Sequence, residues 1–406
     1  MSDKLNIFQK AVFDEVVVKE QEHTYYPQTN SFGNNDEIEI IINQQDILVD
    51  FSSGYLYLEC VFKPINEGEA PRGKCKLTNN VGAYLFESIS YELNGKEIDK
   101  VRDPGLVTAM RGYLCYTSNE VTALEGAGWC NLEKKNSAIA TYHTDNSFTL
   151  RIPLSHLFSV FHDYRRVLTG KHKFRLIRAR TDDNCYESSG TSTATIEVQK
   201  IELKVKHVHP NDKYKLHLLE QMNTDKVIQI PFRQWEFHEL PALRSTHKDV
   251  WSVKTASNLM RPRYVCIAFQ TDRKDNSKAS VSEFDHLNLR NIRLWLNSEI
   301  YPFENQNFDF KKKRYTEAFQ IYCDFQKIFY GRNTSFPLFN YDSFEKFPIF
   351  VIDSSKQEDI KSSTVDVKLE FEASENFPLN TRCYCIIVHD KIFEYSALTT
   401  AVKELL

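Results

Sequence analysis

The second half of this 406-residue chain repeats the order of segments of its first half, about 200 residues later. The clearest copy pairs residues 89–95 (ISYELNG) with residues 292–298 (IRLWLNS). Both are strand-like runs closed by Asn-Gly or Asn-Ser, which favours a tight turn between antiparallel strands. A helix-like stretch follows each turn, at residues 105–116 and at residues 314–329. A chain that repeats a strand–turn–helix unit is constrained to hold two copies of one domain.

Three further pairs of segments keep the same order in both halves. They are residues 55–62 with 264–269, 148–152 with 347–351, and 172–179 with 365–372. Each pair alone is weak, because any two strands resemble each other, but a shared order of five segments is hard to reach by chance. Length agrees, since single cores stop growing near about 250–300 residues. We therefore predict two β-rich domains fused in tandem.

Composition favours β-sheet and an ordinary charged surface. Aromatic residues make up 13% of the chain, with 28 Phe and 20 Tyr, and flat rings pack well on pleated sheets. The 51 basic and 55 acidic residues give a net charge of −4, and the two signs are interspersed. Because no long basic arm is present, direct sequence-specific binding of nucleic acid is not expected.

The chain carries no pattern typical of secretion or of membrane insertion. Its first residues, MSDKLN, are polar and charged, and no apolar run approaches the roughly 20 residues that a membrane helix needs. Nine cysteines are scattered without a CxxC pair. An odd number of scattered cysteines in a large chain favours reduced thiols. The sequence therefore predicts a protein of the cytoplasm or nucleus that is not secreted by a signal peptide.

Several short strands, long loops and one helix in each copy predict an all-β fold of two tandem eight-stranded jelly-roll sandwiches or barrels, with short helices in the loops. The predicted segments are an N-terminal arm (1–35), the first jelly roll (36–208), a connector (209–226), the second jelly roll (227–395) and a C-terminal tail (396–406). The arm is either a frayed terminus or a tie between neighbouring subunits. Helices are predicted in the connector (213–222) and in the tail.

A search for catalytic motifs finds no GxSxG, Walker A, HExxH or GxGxxG pattern. The pair His207 and His209 places two imidazoles on one strand face, which begins a metal site but lacks a third ligand. Three other pairs are more simply explained by structure, and they are Cys383 with Cys385, His162 with Asp163, and His389 with Asp390. We predict no catalytic, cofactor-binding or metal-binding residue, and no enzyme.

Two further groups of residues have alternative interpretations. The basic run at residues 311–314 is typical of a nuclear import signal or a phosphate contact, but it is better explained as a solvated loop before a helix, or as a bridge to a neighbour. The tryptophans Trp235, Trp251 and Trp295 would suit a sugar-binding platform if they met on one surface. Trp295 alternates within a strand and is predicted to belong to the core.

Residues 79–98 (NNVGAYLFESISYELNGKEI) resemble a strand and turn of the double jelly-roll major capsid proteins of the PRD1 and adenovirus lineage. The similarity is greatest to the hexon proteins of Polinton/Maverick elements and adintovirus-type viruses. Further segments are similar in the same order, at residues 153–178, 196–218, 262–269 and 284–289. The resemblance spans roughly residues 36–400 and is one of pattern. This chain is shorter than many members of the family, so small loops are expected.

The resemblance implies a structural role in a virus particle. Three chains with two barrels each would form a homotrimer shaped as a pseudo-hexagonal tile, and such tiles would build the icosahedral shell of a double-stranded DNA virus or a virus-derived element. The implied partners are neighbouring capsomers, penton proteins and minor capsid proteins, and the implied location is the virion. The alternatives are a domesticated capsid homologue and a lectin-like jelly-roll binding module.

Overall fold

The computed structural model of the chain describes residues 16–64, 75–130, 132, 146–188, 193–224, 226–256, 262–356 and 365–405. Residues 64–73, whose Pro, Gly and charged residues predict a surface loop, lie almost entirely outside these ranges. In the first half the strands are β1 (Val17–Tyr25), β2 (Glu37–Pro64), β3 (Cys75–Leu77), β4 (Phe86–Leu93), β5 (Lys96–Arg102), β6 (Ser147–Pro153), β7 (Leu168–Arg178), β8 (Tyr186–Ser188) and β9 (Ala194–Pro210).

The second half is built from another set of strands. They are β10 (Ile228–Leu240), β11 (Lys248–Ala256), β12 (Pro262–Thr271), β13 (Leu289–Leu296), β14 (Glu299–Tyr301), β15 (Phe350–Asp353), β16 (Val365–Ala373), β17 (Thr381–Tyr395) and β18 (Val402–Glu404). The α-helices of the described residues are α1 (Val81–Tyr84), α2 (Pro104–Cys115), α3 (Ser118–Ala123), α4 (Leu154–Leu157), α5 (Ser159–Asp163), α6 (Asp212–Asn223), α7 (Thr316–Tyr330) and α8 (Tyr341–Phe344).

The long strand β2 joins the two layers of the first half. Its first part, up to Gln44, pairs with β7, and its second part, from Leu48, pairs with β9. The hydrogen-bonded order is therefore β2–β7–β4–β5 in one layer and β1–β9–β2–β6 in the other. Buried residues of both layers, such as Leu58 and Leu176, belong to one apolar cluster. When β2 is counted in both layers, eight strands form the predicted sandwich.

The second half has the same topology with its layers fully separated. The strand orders are β11–β16–β13–β14 and β10–β17–β12–β15. The rings of Phe269 on β12 and Phe371 on β16 lie 5.3 Å apart, so the two layers pack face to face. The strands of the two halves correspond in chain order. In one layer β11, β16, β13 and β14 match the first part of β2, β7, β4 and β5, and in the other layer β10, β17, β12 and β15 match β1, β9, the second part of β2 and β6. The predicted tandem jelly-roll fold is confirmed.

The halves can be aligned on one pair of cross-strand triplets. The sequence pairs residues 55–62 with 264–269, which aligns Tyr55 with Tyr264. Thr24 and Tyr55 both lie opposite Lys204, and Trp235 and Tyr264 both lie opposite Val388. This alignment gives the residues at corresponding places on these strands of the two halves.

Local chemistry explains the repeated hairpin. Ile89, Tyr91 and Leu93 alternate along β4 and are buried, as their spacing predicts. Asn94 and Gly95 then take positive φ values of 50° and 83°, which asparagine and glycine tolerate better than other residues. In the second copy Asn297 has φ 55° at the equivalent turn. Helices α2 and α7 follow these hairpins, close to the ranges predicted for them.

The ends of the chain differ from the simplest expectations. The segment predicted as an arm contributes β1, which pairs antiparallel with β9. The prediction of a helix in the tail is wrong, because the tail forms the strand β18, which pairs with β17. Tertiary pairing outweighs the weak helical preference of so short a segment. The predicted connector helix is confirmed as α6. The division into arm, jelly rolls, connector and tail remains a prediction.

Candidate functional site at the junction of the two jelly rolls

The strongest polar contact between the two halves joins Asp163, at the end of α5, to Arg233 on β10. The Nε and Nη2 atoms of Arg233 donate to the two carboxylate oxygens at 2.9 and 2.7 Å, and the backbone N–H of Arg233 donates at 2.9 Å. The guanidinium also lies 3.8 Å from the centre of the Phe329 ring. Burial alone would raise the pKa of Asp163, but the hydrogen bonds and charge of Arg233 lower it. Such a bidentate, half-buried pair fixes the orientation of the halves.

A second contact runs through the buried carboxylate of Asp99 on β5. It accepts the backbone N–H groups of Ser159 and Val160 at 2.7 and 3.1 Å, and the side-chain amide of Gln234 at 3.0 Å. Burial raises the pKa of Asp99, although these hydrogen bonds act in the opposite direction. Asp99 thus ties β5 and the start of α5 to the strand β10 of the other half.

A third contact places Lys274, in the loop after β12, between two carboxylates. Its ammonium group lies 2.8 Å from Asp103 and 2.8 Å from Glu239. Arg382 binds the other oxygen of Glu239 at 2.6 Å. Burial raises the pKa of Asp103, whereas at Glu239 the hydrogen bonds and charges of Lys274 and Arg382 outweigh burial and lower the pKa. The two halves therefore share a network of alternating charges.

Tyrosine hydroxyls satisfy the backbone groups that this junction buries. Tyr113 on α2 donates to the carbonyl of Ser282 at 2.9 Å, and Tyr322 on α7 donates to the carbonyl of Tyr113 at 3.0 Å. The hydroxyl of Ser282 in turn donates to the carbonyl of Asn79 at 3.1 Å. A loop between strands carries many polar backbone groups, so these bonds allow it to be buried. The halves form one fixed unit along this side.

Helix α7 covers the outward face of the sheet β10–β17–β12–β15. Phe329 and Phe325 pack against Trp235 and Tyr264, with ring centroids 5.6 and 5.3 Å apart. Four further outward-facing side chains on β12 and β17 are buried, namely Cys266, Ala268, Ile386 and Val388. This face is consequently a second apolar core, between the sheet and the elements that cover it.

The corresponding face of the first half carries charges and tyrosines. The ammonium groups of Lys200 and Lys204 lie 5.8 and 5.3 Å from the centre of the Tyr57 ring. The same lysines approach the carboxylate of Glu202 at 2.9 and 3.5 Å. Nearby, the guanidinium of Arg151 lies 3.9 Å from the centre of the Tyr55 ring. This face is suited to contact with water or with another polar surface.

The two histidines of the pair His207 and His209 lie in different environments. His207 is buried, stacks on His23 at 3.8 Å and has its Nε2 atom 2.9 Å from the hydroxyl of Tyr25. Burial and the neighbouring histidines lower the pKa of His207 to about 4. His209 is exposed. Across the described ranges, no cluster of three His, Cys, Asp or Glu side chains is arranged to hold a metal ion.

Residues of the other three pairs are buried or bind other residues of the same chain. Cys383 and Cys385 are buried, as predicted, and burial raises the pKa of both thiols. Asp390 pairs with Arg263 on the surface. His162, beside the junction residue Asp163, lies 3.0 Å from the hydroxyl of Tyr330 in the other half. The role of this pair is not apparent from the sequence, because its partners lie 70 and 168 residues away.

The basic run at residues 311–314 lies on a 3-10 turn, Phe310–Lys312, that precedes α7. Lys311 pairs with Glu375, Lys312 with Asp309 at 3.4 Å, and Lys313 with Asp342 at 3.1 Å. The three lysines are therefore neutralised by carboxylates of the same chain.

The three tryptophans do not share a surface. Trp235 is buried under α7, whereas Trp251 and Trp295 lie on strands of the opposite sheet. The prediction that Trp295 belongs to the core is wrong. It is half-buried on the outward face of β13, and its indole N–H donates to Glu370 at 3.2 Å. Period-two alternation identifies the two faces of a strand but not which face is inside.

Helices long and apolar enough to span a bilayer are absent from the described part of the chain. A comparison with curated protein sequences gives no match. A family model described as the double jelly roll-like domain matches residues 75–393, which is more than half of the chain.

Solved structures with similar folds come from virus particles. A chain from the cryo-EM structure of the Sputnik virophage superposes with a TM-score of 0.65 at 10% identity, covering 100% of this chain and 92% of that one. The mavirus major capsid protein gives 0.60 at 9% identity, with 100% and 93% covered. The Faustovirus major capsid protein gives 0.59 at 10% identity, with 95% and 92% covered. At such identities the likeness is one of fold.

Proposed function

Since this chain belongs to the double jelly roll-like domain family, we propose that it is a hexon-like major capsid protein. Three copies would form a homotrimer whose six jelly rolls make a pseudo-hexagonal tile. Such tiles would build the icosahedral shell of a double-stranded DNA virus or a virus-derived element. The protein would act by assembly and not by catalysis, with no catalytic, cofactor-binding or metal-binding residue.

The observation that carries this proposal is the fixed junction between two topologically equivalent jelly rolls. Arg233 with Asp163, Gln234 with Asp99 and Lys274 with Asp103 join the halves by buried or half-buried polar contacts. A module that only binds a ligand has no need of two sandwiches held at one angle, whereas a tile does. The similar folds of the mavirus and Faustovirus major capsid proteins support the same function.

Further parts of the proposal follow from the resemblance of the sequence. The lineage would be that of Polinton/Maverick and adintovirus-type elements. The other partners would be neighbouring capsomers, penton proteins and minor capsid proteins. The protein would reside in the virion after assembly in the host cytoplasm or nucleus. Its near-neutral charge of −4 suits tiling between proteins better than wrapping a genome.

The test is the mass of the purified chain by light scattering during size-exclusion chromatography. We expect three times the chain mass of 47.5 kDa, or larger particles that electron microscopy would show to be shells. A monomer that persists at high concentration would contradict the capsid function. It would favour a domesticated homologue or a lectin-like binding module.

A further inference from the structure

We propose that residues 1–15 cover the exposed apolar face of α6, the helix that connects the two jelly rolls. The occupant of this face is the N-terminal segment of the same chain, running antiparallel to α6. The inference goes beyond the proposed function and does not depend on it, because it concerns the fold of one chain.

Helix α6 differs from the other described α-helices in its burial. None of its 12 residues is buried, whereas each of the others has at least one buried residue. Its start is well capped, since the backbone N–H of Tyr214 donates to the side chain of Asn211 at 2.7 Å. Isolated helices of about 12 residues are marginal in water, and most helices are stabilised by packing an apolar face. A capped helix without a buried residue therefore calls for a covering segment.

The uncovered face of α6 carries two leucines. Leu216 is 62% exposed and Leu219 is 46% exposed. Because they are three residues apart, their side chains are neighbours on one side of the helix. Leu218 and Met222 are half-buried and lie on another side. Two adjacent leucines left in water on a helix that already has one packed side are typical of a docking surface.

The part of the chain outside the described residues begins beside this helix. The backbone N–H of Asn211, at the start of α6, donates to the carbonyl of Val16 at 2.9 Å. Val16 is the first described residue, so residues 1–15 continue from the first turn of α6. A segment tethered at this point has a high effective concentration at α6, which favours contact within one chain over contact between chains.

The sequence of residues 1–15 has the apolar pattern that this face requires. One set of apolar residues recurs at intervals of four, three and four positions, namely Met1, Leu5, Phe8 and Val12. This spacing predicts one face of an amphipathic helix. Asn6 and Lys10 fall on the opposite side of the same helix. The segment therefore offers an apolar face to cover the leucines of α6.

The two patterns match in length and in register. In an antiparallel pair, Leu5 meets Leu219 and Phe8 meets Leu216, because both pairs are three residues apart. A helix over residues 1–12 would be about 18 Å long, as α6 is. Residues 13–15 then remain for the turn to Val16, and connections of about two to five residues are usual between antiparallel helices.

The predicted N-terminal arm would then have two different uses. Strand β1 pairs with β9 and completes the first jelly roll. Residues 1–15 cover the connector helix of the same chain. This arrangement differs from both expectations for the arm, which were a frayed terminus and a tie between neighbouring subunits.

The first test joins the two segments by a disulfide. Phe8→Cys and Leu216→Cys are combined in a Cys323→Ser background, because Cys323 is the one native thiol that is not buried. After mild oxidation of the full-length chain, we expect most of the protein to carry an intrachain link at the single-chain mass, identified by peptide mass spectrometry. The matched control combines Asn6→Cys with Leu216→Cys and should link at least about fivefold less, because disulfide geometry is specific.

The second test measures whether the segment protects α6 from solvent. Phe8→Asp places a charge in the proposed contact, and amide hydrogen exchange of residues 216–223 should become about tenfold faster than in the wild type. The control Asn6→Asp introduces the same charge on the opposite side and should leave this exchange unchanged. Retained protection of strand β9 in both variants shows that the first jelly roll remains folded.

An intrachain link together with faster exchange in Phe8→Asp supports the proposal. A disulfide-linked species of twice the chain mass would overturn it and assign the face to another copy. Equal linking by the Asn6 variant contradicts the proposed register. Unchanged exchange in Phe8→Asp, with α6 of the wild type protected only when phosphatidylcholine and phosphatidylserine vesicles are added, assigns the face to a lipid surface instead. None of these readouts requires a trimer, so the capsid function is judged by its own test.

Discussion

Corresponding faces of the two jelly rolls have opposite chemistry. In the second half, Cys266 and Ile386 face outward and are buried beneath α7 and the first half. At the same places in the first half are Tyr57 and Glu202, beside Lys200 and Lys204. One topology therefore supports an apolar face where the chain covers it permanently, and a charged, tyrosine-rich face where the single chain leaves it open. The fold sets the strand order, and the neighbours set the polarity of each face.

Exchanging the residues at the equivalent places would test this comparison most severely. In Ile386→Glu, a charge without a partner enters the covered face, and we expect a loss of about 4 kcal/mol or more in the free energy of unfolding. The reverse change, Glu202→Ile, removes contacts of two lysines that still reach water, so its cost should stay near 1 kcal/mol. Urea denaturation measures both. Equal losses would contradict the proposed asymmetry.

The next largest effect is expected at the junction that creates the covered face. Arg233→Ala leaves the carboxylate of Asp163 half-buried without its cation, which should cost about 3–5 kcal/mol in the free energy of unfolding. The control is Arg263→Ala, which removes an ion pair with Asp390 on the exposed surface, where about 0–1 kcal/mol is expected. A junction that contributes no more than this surface pair would show that the halves are held by apolar contact alone.

A pH dependence should distinguish the cores of the two halves. The Nδ1 atom of buried His172 lies 2.9 Å from the hydroxyl of Tyr91, and burial lowers the pKa of His172 to about 3. The register from the equivalent turns at Asn94 and Asn297 places Val367 at the corresponding position of the second half. Because the unfolded imidazole takes up its proton below about pH 6.5, this contribution is complete above that pH and is lost progressively towards pH 3.

For this one group, we expect the free energy of unfolding to be about 2 kcal/mol lower at pH 5 than at pH 7. Other buried histidines titrate in the wild type and in His172→Asn alike. The measurement is therefore the difference between the two proteins in how the free energy of unfolding changes with pH. The variant should lose less stability on acidification than the wild type. Parallel pH profiles would show that His172 keeps an ordinary pKa.

The smallest effect is expected on the open face. Lys200→Ala removes an exposed ammonium group near Tyr57, Glu59 and Glu202, and the free energy of unfolding should hardly change, because water solvates this group in the folded chain. Added salt should reduce even this difference, since exposed charges are screened. A loss of stability as large as that of Arg233→Ala would mean that this face already contributes to the fold of the single chain.

Much of the fold could be predicted from local patterns. The alternation of Ile89, Tyr91 and Leu93 and the turn at Asn94 depend on neighbours within a few residues, and both appear as predicted. The paired order of segments correctly indicated two equivalent domains, because homologous strands keep their spacing along the chain. The prediction for the tail failed because its structure depends on a distant strand: pairing with β17 outweighs its own helical preference.

The sequence by itself determined that this protein is built from two β-rich domains of one kind, because alternation and turn residues act over short distances and survive in each copy. Only the tertiary structure decided which face of each strand is inside, as Trp295 and Ile386 show, and which charges meet across the junction. Arg233 and Asp163 are 70 residues apart and carry no shared local pattern. Their contact depends on how two finished sandwiches pack, and that packing also leaves Phe303 and the β1 edge uncovered.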